Sequence, residues 1–200
     1  MKTKNISHII ENQMRYDIIN KLIQVYNHQS YLEIGYLNGE TFNKIKCPTK
    51  NSVDPNGKAQ FKMISDDFFN NIAFPNGNGW DIIFIDGDHE KGQVKKDIVN
   101  SLKCLNKEGT IVCHDMSPPS EFYLAPRYCN NSWEAFAELR QTREDLEMFV
   151  VDGDCGCGVI RRGKQSLYKG NIESSWEFFN NNKKEVLNWI TFDEFIKKYD

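Results

Sequence analysis

The chain has 200 residues, 40% of them hydrophobic and 26% charged, with a formal net charge of −3 and a pI near 5.9. That length supports one sizeable core, so a single domain spanning 1–200 is expected, and a small disulfide scaffold is excluded. No run of Lys and Arg is long enough to form an electrostatic footprint for nucleic acid, so such a partner is not expected.

In chain order, "MKTKNISHIIENQMRY" has apolar residues at helical intervals, with neither a signal-peptide block nor a spanning segment. It predicts an N-terminal helical segment over 1–28 in a cytoplasmic protein, with His8 and His28 in surface or packing roles. The runs "SYLEIG" (30–35), "NSVDP" (51–55), "WDIIFID" (80–86), "GTIVCHD" (109–115) and "MFVVDGD" (148–154) are short, apolar and rich in β-branched residues. Such runs suit parallel strands covered on both faces. Helical spacing fills the gaps: "GETFNKI", "KAQFKMISDDFF", "KGQVKKDIVNSLKCL" and "SWEAFAELRQTREDL". The alternation predicts a doubly wound α/β sheet. "CGVIRRG" (157–163) follows a Gly-containing connection and should return antiparallel as a hairpin partner near the sheet edge. A helical tail spans 164–200, with Thr191 and Glu194 spaced as a capping box. Six scattered cysteines, of which only Cys155 and Cys157 are close, are expected to be reduced.

Three of these strands finish in carboxylates, Asp54, Asp86 and Asp115, at the end of a parallel sheet where ligands bind. An ionised group there needs solvent, a partner or a ligand. The turn "LEIGYLNGET" carries Gly35 and Gly39, the first for a sharp turn and close approach, the second for tight helix packing. Asp54 follows Gly35 by 19 residues, the separation of a carboxylate that holds ribose hydroxyls. A third glycine for a pyrophosphate is missing, and Glu33 would repel one while pairing with a cationic amino-acid moiety. The pattern favours S-adenosylmethionine over NAD.

These residues resemble class I S-adenosylmethionine-dependent methyltransferases: "LEIGYLNGET" is similar to their first motif, "SVDP" to the second and "MISDDFF" to the segment flanking the adenine. "FIDGDHEKGQVKKDIVNSLKCLNKEGTIVCHDMSPP", "WEAFAELR" and "VVDGDCGCGVIRRG" are similar to a small branch associated with glycan and polysaccharide synthesis. The resemblance covers roughly 10–200. It implies a Rossmann-like, mostly parallel seven-stranded sheet with one antiparallel strand near the edge and helices on both faces. It also assigns the cofactor to Glu33, Gly35, Gly39, Asp54 and Asp66, and Tyr36 and Asp86 are expected to line the same site. Asp66 has a second reading, as the cap of the helix that follows it. Cys155 departs from the branch, which often has an aromatic residue there.

Methyl transfer needs an aligned acceptor oxygen and a group that takes its proton. "DGDH" supplies Asp86, Asp88 and His89, and "HD" supplies His114 and Asp115, at two strand ends that are neighbours in the resembled fold. Asp88 reads as a turn residue. His89 could act as base, oriented by Asp86 or Asp115. Alternatively Asp86 and Asp115, with His114 as a less suitable nitrogen ligand, could hold Mg²⁺ or Mn²⁺ beside the acceptor while His89 still takes the proton. The long connection 116–136 is placed to form a lid over an acceptor site lined by Glu121, Tyr123, Arg127, Tyr128 and Trp133. The activity the resemblance implies is O-methylation of a sugar hydroxyl, a deoxyhexose such as rhamnose in a glycan or its precursor. A homo-oligomer or a fusion to glycosyltransferase domains is compatible with it. Rivals are a catechol-type O-methyltransferase, a non-catalytic partner module, and a metal-dependent phosphohydrolase, which would leave the glycine turn unexplained.

Overall fold

The computed structural model describes residues 14–200; the helical reading of 1–13, and His8 with it, lies outside the described residues. Six strands form one sheet: β1 (Ser30–Ile34), β2 (Thr49–Val53), β3 (Trp80–Ile85), β4 (Leu105–Cys113), β5 (Leu146–Val151) and β6 (Cys157–Arg162), in the order β2-β1-β3-β4-β6-β5. The four strands on one side are mutually parallel, and β6 runs antiparallel to both β4 and β5. The reversed strand near the edge is therefore as expected. The seven strands are not: six are present among the described residues, because after β6 only Ile190 bridges to the sheet, beside Val151, and the rest folds as loop and helix.

Strand periodicity explains why both faces are covered. In β3, Ile83 and Ile85 enter one apolar cluster with Val94, Ile98, Phe136 and Phe179, while Ile82 and Phe84 enter another with Ile18, Ile19, Leu22 and Phe195. The first face carries α3 (Ser65–Phe68), α4 (Lys91–Cys104), α5 (Ser132–Thr142) and α6 (Trp176–Val186). The second carries α1 (Arg15–Tyr26) and α7 (Phe192–Tyr199), the latter started by a Thr191–Glu194 capping box. A short α2 (Glu40–Lys44) follows the glycine turn.

The run "KAQFKMISDDFF" departs from its helical reading. Only Ser65–Phe68 is α-helical, continuing into a π-helical turn over Phe69–Ala73. Upstream, the Phe61 N–H donates to the Ser52 carbonyl and the Phe61 carbonyl accepts from Asp54 N–H. The open edge of β2 thus takes the backbone groups that a helix would have used internally.

Candidate active site

Gly35 closes the carboxyl end of β1 against β3. Its φ is +93°, and a methyl carbon on it would clash with the Asp86 carbonyl group and lie 2.7 Å from the Gly87 nitrogen. Gly39 caps α2 in a left-handed conformation, where a side chain would strike the Tyr36 ring. Between them the chain bends over Asp54, whose Oδ2 accepts from Leu37 N–H (2.7 Å) and Oδ1 from Asn56 N–H (2.7 Å). The strand-end carboxylate thus holds the glycine turn in shape, and each of its oxygens can accept a further hydrogen bond.

The strand ends open into a cleft of about 910 Å³ lined by Glu33, Gly35, Tyr36, Asp54, Asp66, Asp86, His89, His114 and Asp115, among others. Gly39 supports the turn from behind and is not part of the lining. Glu33 is 1% exposed and accepts from the Tyr31 hydroxyl; burial pushes its carboxyl up to about 8. Asp66 accepts from Gln93 Nε2 (3.2 Å) and lies 3.5 Å from Lys96 Nζ. It does not cap α3: that position is Ile64, which makes no side-chain cap bond. Gln93 also reaches Asp97, a buried lining carboxyl that burial pushes up to about 6.

At the ends of β3 and β4 the charged groups interlock. His89 Nε2 lies 3.5 Å from Asp86 Oδ1 and its Nδ1 lies 3.2 Å from Asp115 Oδ2, while Nδ1 also meets the Tyr128 carbonyl. Burial disfavours the imidazolium, yet Asp86, Asp115 and that carbonyl more than offset it, raising His89 to about 9. His114 Nδ1 is 3.3 Å from Asp86 Oδ1 and 3.2 Å from Asp115 Oδ1, and Nε2 is 3.7 Å from Asp154. Burial opposes charge on His114 as well, and the surrounding carboxylates overcome it. Asp88 accepts from Glu90 N–H in the turn and has the structural role expected of it.

Two members of this cluster were not foreseen. Arg15, at the start of α1, donates from Nη1 to Asp86 Oδ2 (2.5 Å) and from Nε to Asp154 Oδ2 (2.7 Å). Asp154 belongs to "VVDGD", three residues past the end of β5; the rule applied to Asp54, Asp86 and Asp115 points to this turn but picks out Asp152 at the strand end. Burial works against ionised Asp86, but His114, His89 and Arg15 hold its carboxyl far below the usual range.

Of the acceptor-loop residues, Tyr123 and Tyr128 line the cleft and form with Phe122 an aromatic group of tilted and edge contacts (centroids 4.8–5.8 Å apart). Glu121 and Arg127 are exposed and do not line it. Trp133 corrects the expectation outright: it is 1% exposed, in the first turn of α5, stacked on Phe178 and tilted against Phe179 in the core. The loop gives way to α5, in which Ser132 to Ala137 are all buried.

The carboxylate–imidazole group can be tested for a divalent cation. Asp86, His114 and Asp115 each offer a donor atom within 4.8 Å of the others. Both His114 nitrogens are buried with no aligned hydrogen-bond partner, an arrangement that costs stability unless a ligand relieves it. Two carboxylates and an imidazole fit a divalent cation, Mn²⁺ better than Mg²⁺.

A family model described as "Methyltransferase domain" matches residues 16–116, just over half of the chain. The chain belongs to the methyltransferase domain family. Against curated proteins nothing matches. Among solved structures, the methyltransferase fold is shared with the O-methyltransferase from Bacillus cereus in complex with SAH (TM-score 0.55, 16% identity, 72% of this chain and 78% of that one). It is also shared with the O-methyltransferase TomG from Streptomyces achromogenes, involved in tomaymycin synthesis, in complex with SAM (0.55, 13%, 74% and 78%). A third is the methyltransferase MycE of mycinamycin biosynthesis in complex with Mg, SAH and mycinamycin VI (0.51, 14%, 78% and 50%). No helix among the described residues of this methyltransferase is long and apolar enough to cross a membrane.

Proposed function

We propose that this methyltransferase moves a methyl group from S-adenosylmethionine to a hydroxyl of a sugar. The observation that carries the reading is the His89–Asp86–Asp115–His114 cluster on the floor of the cleft, next to the glycine turn and Asp54. When bound, the cofactor supplies an electrophilic methyl carbon on a sulfonium, whose displacement leaves a neutral thioether. The chain's share of the work is binding, alignment and proton removal.

For binding, Asp54 accepts from the ribose hydroxyls with its free lone pairs, and the Gly35–Tyr36 turn follows the nucleoside. Asp66 flanks the adenine. Glu33 pairs with the cofactor's amino group; the burial that raises its carboxyl toward neutrality makes that cationic partner the natural way to ionise it. Asp86, held rigid by Arg15, sets the boundary between cofactor and acceptor.

His89 takes the acceptor's proton. In the arrangement described, its neighbouring carboxylates favour the imidazolium, which cannot act as a base. A cation held by Asp86, Asp115 and His114 would draw those negative charges away from His89 and lower the pKa of the acceptor hydroxyl. A polar floor beneath a tyrosine wall suits a ring carrying several hydroxyls, with the ring face on Tyr123 or Tyr128 and its edge toward the carboxylates. This arrangement supports a sugar over a flat, apolar acceptor.

The test is transfer of labelled methyl from S-adenosylmethionine across a panel of hydroxylated acceptors, with and without Mn²⁺. Label entering deoxyhexoses or their glycosides supports the reading. Label entering catechols and no sugar would move the acceptor class.

A further inference from the structure

The same end of the sheet carries a second donor set with different chemistry. Cys129, fully buried, comes from the end of the acceptor loop, and Cys155 comes from the turn between β5 and β6. Cys129 Sγ lies 3.2 Å from Asp115 Oδ1, and one donor atom from each of Asp115, Cys129 and Cys155 falls within 4.8 Å of the other two. The three come from separate segments, and the backbone holds two of them tightly. Asp115 (φ +64°) and Cys155 (φ +60°) both occupy the left-handed region that non-glycine residues avoid. Ser117 N–H donates to the Cys155 carbonyl (2.7 Å) and Met116 N–H to that of Gly156 (3.1 Å), fastening the hairpin turn to the residues after Asp115. Gly156 permits this approach, since a side chain there would run into Ser117.

We propose that Asp115, Cys129 and Cys155 form a binding site for a thiophilic divalent cation of the zinc class, with a fourth position open to the cleft that all three line. Zinc bonds of about 2.3 Å to sulfur and about 2.0–2.2 Å to oxygen place tetrahedral donors roughly 3.5–3.8 Å apart. Cys129 Sγ and Asp115 Oδ1, at 3.2 Å, are already close to that spacing and all the donors lie within 4.8 Å of one another, so side-chain rotations complete the site. Two thiolates and a carboxylate would repel one another at this distance, and a cation between them turns that repulsion into binding. Binding converts two thiols to thiolates and releases two protons. Sulfur donors also select against Mg²⁺, which distinguishes this set from Asp86, His114 and Asp115. Both sets share Asp115, so a cation in one set draws on the carboxylate that the other set also uses. A cation here would clamp the acceptor loop, through Cys129, to the β5–β6 hairpin, through Cys155. The site does not depend on which acceptor is methylated or on whether the cofactor binds.

The test uses the full chain, reduced, stripped with chelator and titrated anaerobically with Co²⁺ and then Zn²⁺. We expect one equivalent bound, a near-ultraviolet thiolate-to-cobalt charge-transfer band, and displacement of Co²⁺ by Zn²⁺. Cys129→Ser and Cys155→Ser should each abolish the band and weaken Zn²⁺ binding by about tenfold or more; Cys104→Ser and Asp86→Asn should keep it. If a cysteine variant fails to fold, the wild-type chain answers the question: bound Zn²⁺ should protect Cys155 from alkylation while partly exposed Cys47 still reacts. A wild-type chain with no charge-transfer band overturns the proposal, as does a band that survives Cys129→Ser. Closure of the two thiols into a disulfide under reducing, metal-replete conditions would overturn it too.

Discussion

Gly35→Ala tests whether the end of β1 is built to touch the end of β3. The added methyl would collide with the Asp86 carbonyl group and lie 2.7 Å from the Gly87 nitrogen, inside the 3.0 Å limit that real contacts respect. The two strand ends are joined there by Asp86 N–H to the Ile34 carbonyl (2.8 Å), and Gly35 N–H donates to the Val53 carbonyl (2.9 Å), so relief requires shifting a β3 end that carries Asp86. The positive φ costs about 1–3 kcal/mol for a non-glycine residue, and the overpacking costs about 1–3 kcal/mol more. The sum, roughly 2–6 kcal/mol, is a large share of the ~5–15 kcal/mol that typically holds a domain together. At about 2–4 °C per kcal/mol for a chain of this size, Tm should fall by roughly 4–24 °C. Gly77→Ala is the control, because Gly77 has a similar left-handed φ of +62° with nothing near its missing side chain. Scanning calorimetry on both variants separates strain from collision. If Gly35→Ala costs no more than Gly77→Ala, the strand ends are not in close contact and the argument for this turn fails.

Three further outcomes follow from the site and the core. His89→Ala should lower turnover by about 10²–10⁴-fold while leaving affinity for S-adenosylhomocysteine nearly intact; a variant with normal turnover removes His89 as the base. Chelator should abolish methyl transfer and Mn²⁺ restore it, and transfer indifferent to chelator would leave His89 and its carboxylates acting without a cation. His28 is buried against Thr110, and burial, aided by Arg161 and opposed by Asp81, pushes its imidazole down to about 4. The unfolded chain, with His28 near 6.5, binds the extra proton first as pH falls, so stability is full above about pH 7 and is lost through the window down to about pH 4. Between about pH 7.5 and about pH 5 that loss is roughly 2 kcal/mol. Urea titrations at the two pH values should show it, and His28→Gln should flatten the difference; an unchanged slope would show that His28 does not report on folding.

The parts of this molecule legible in its sequence are those that depend on local pattern. Alternating apolar runs located all six strands, because a residue's face follows from its parity once a strand is buried on both sides, as Ile82 to Ile85 illustrate. Strand-end carboxylates pointed to the cleft because an ionised group at a buried strand end needs solvent, a partner or a ligand. What stayed hidden depends on long-range pairing. Arg15 lies 71 positions from Asp86 and 139 from Asp154, and nothing nearby in the chain marks it as their partner. The "KAQFKM" segment has helical spacing, yet the free edge of β2 binds Phe61 instead. Trp133 shows the opposite failure: its position in a loop rich in aromatic residues suggested acceptor contact, whereas the adjacent α5 pattern already put it in the core.

Calorimetric titration with S-adenosylhomocysteine, repeated on Asp54→Ala, tests the central claim most directly. The cleft should bind one equivalent at micromolar affinity, and the variant should bind roughly 10–100-fold more weakly through loss of charge-assisted hydrogen bonds. No binding to the wild-type chain would contradict the account and leave the glycine turn as scaffold.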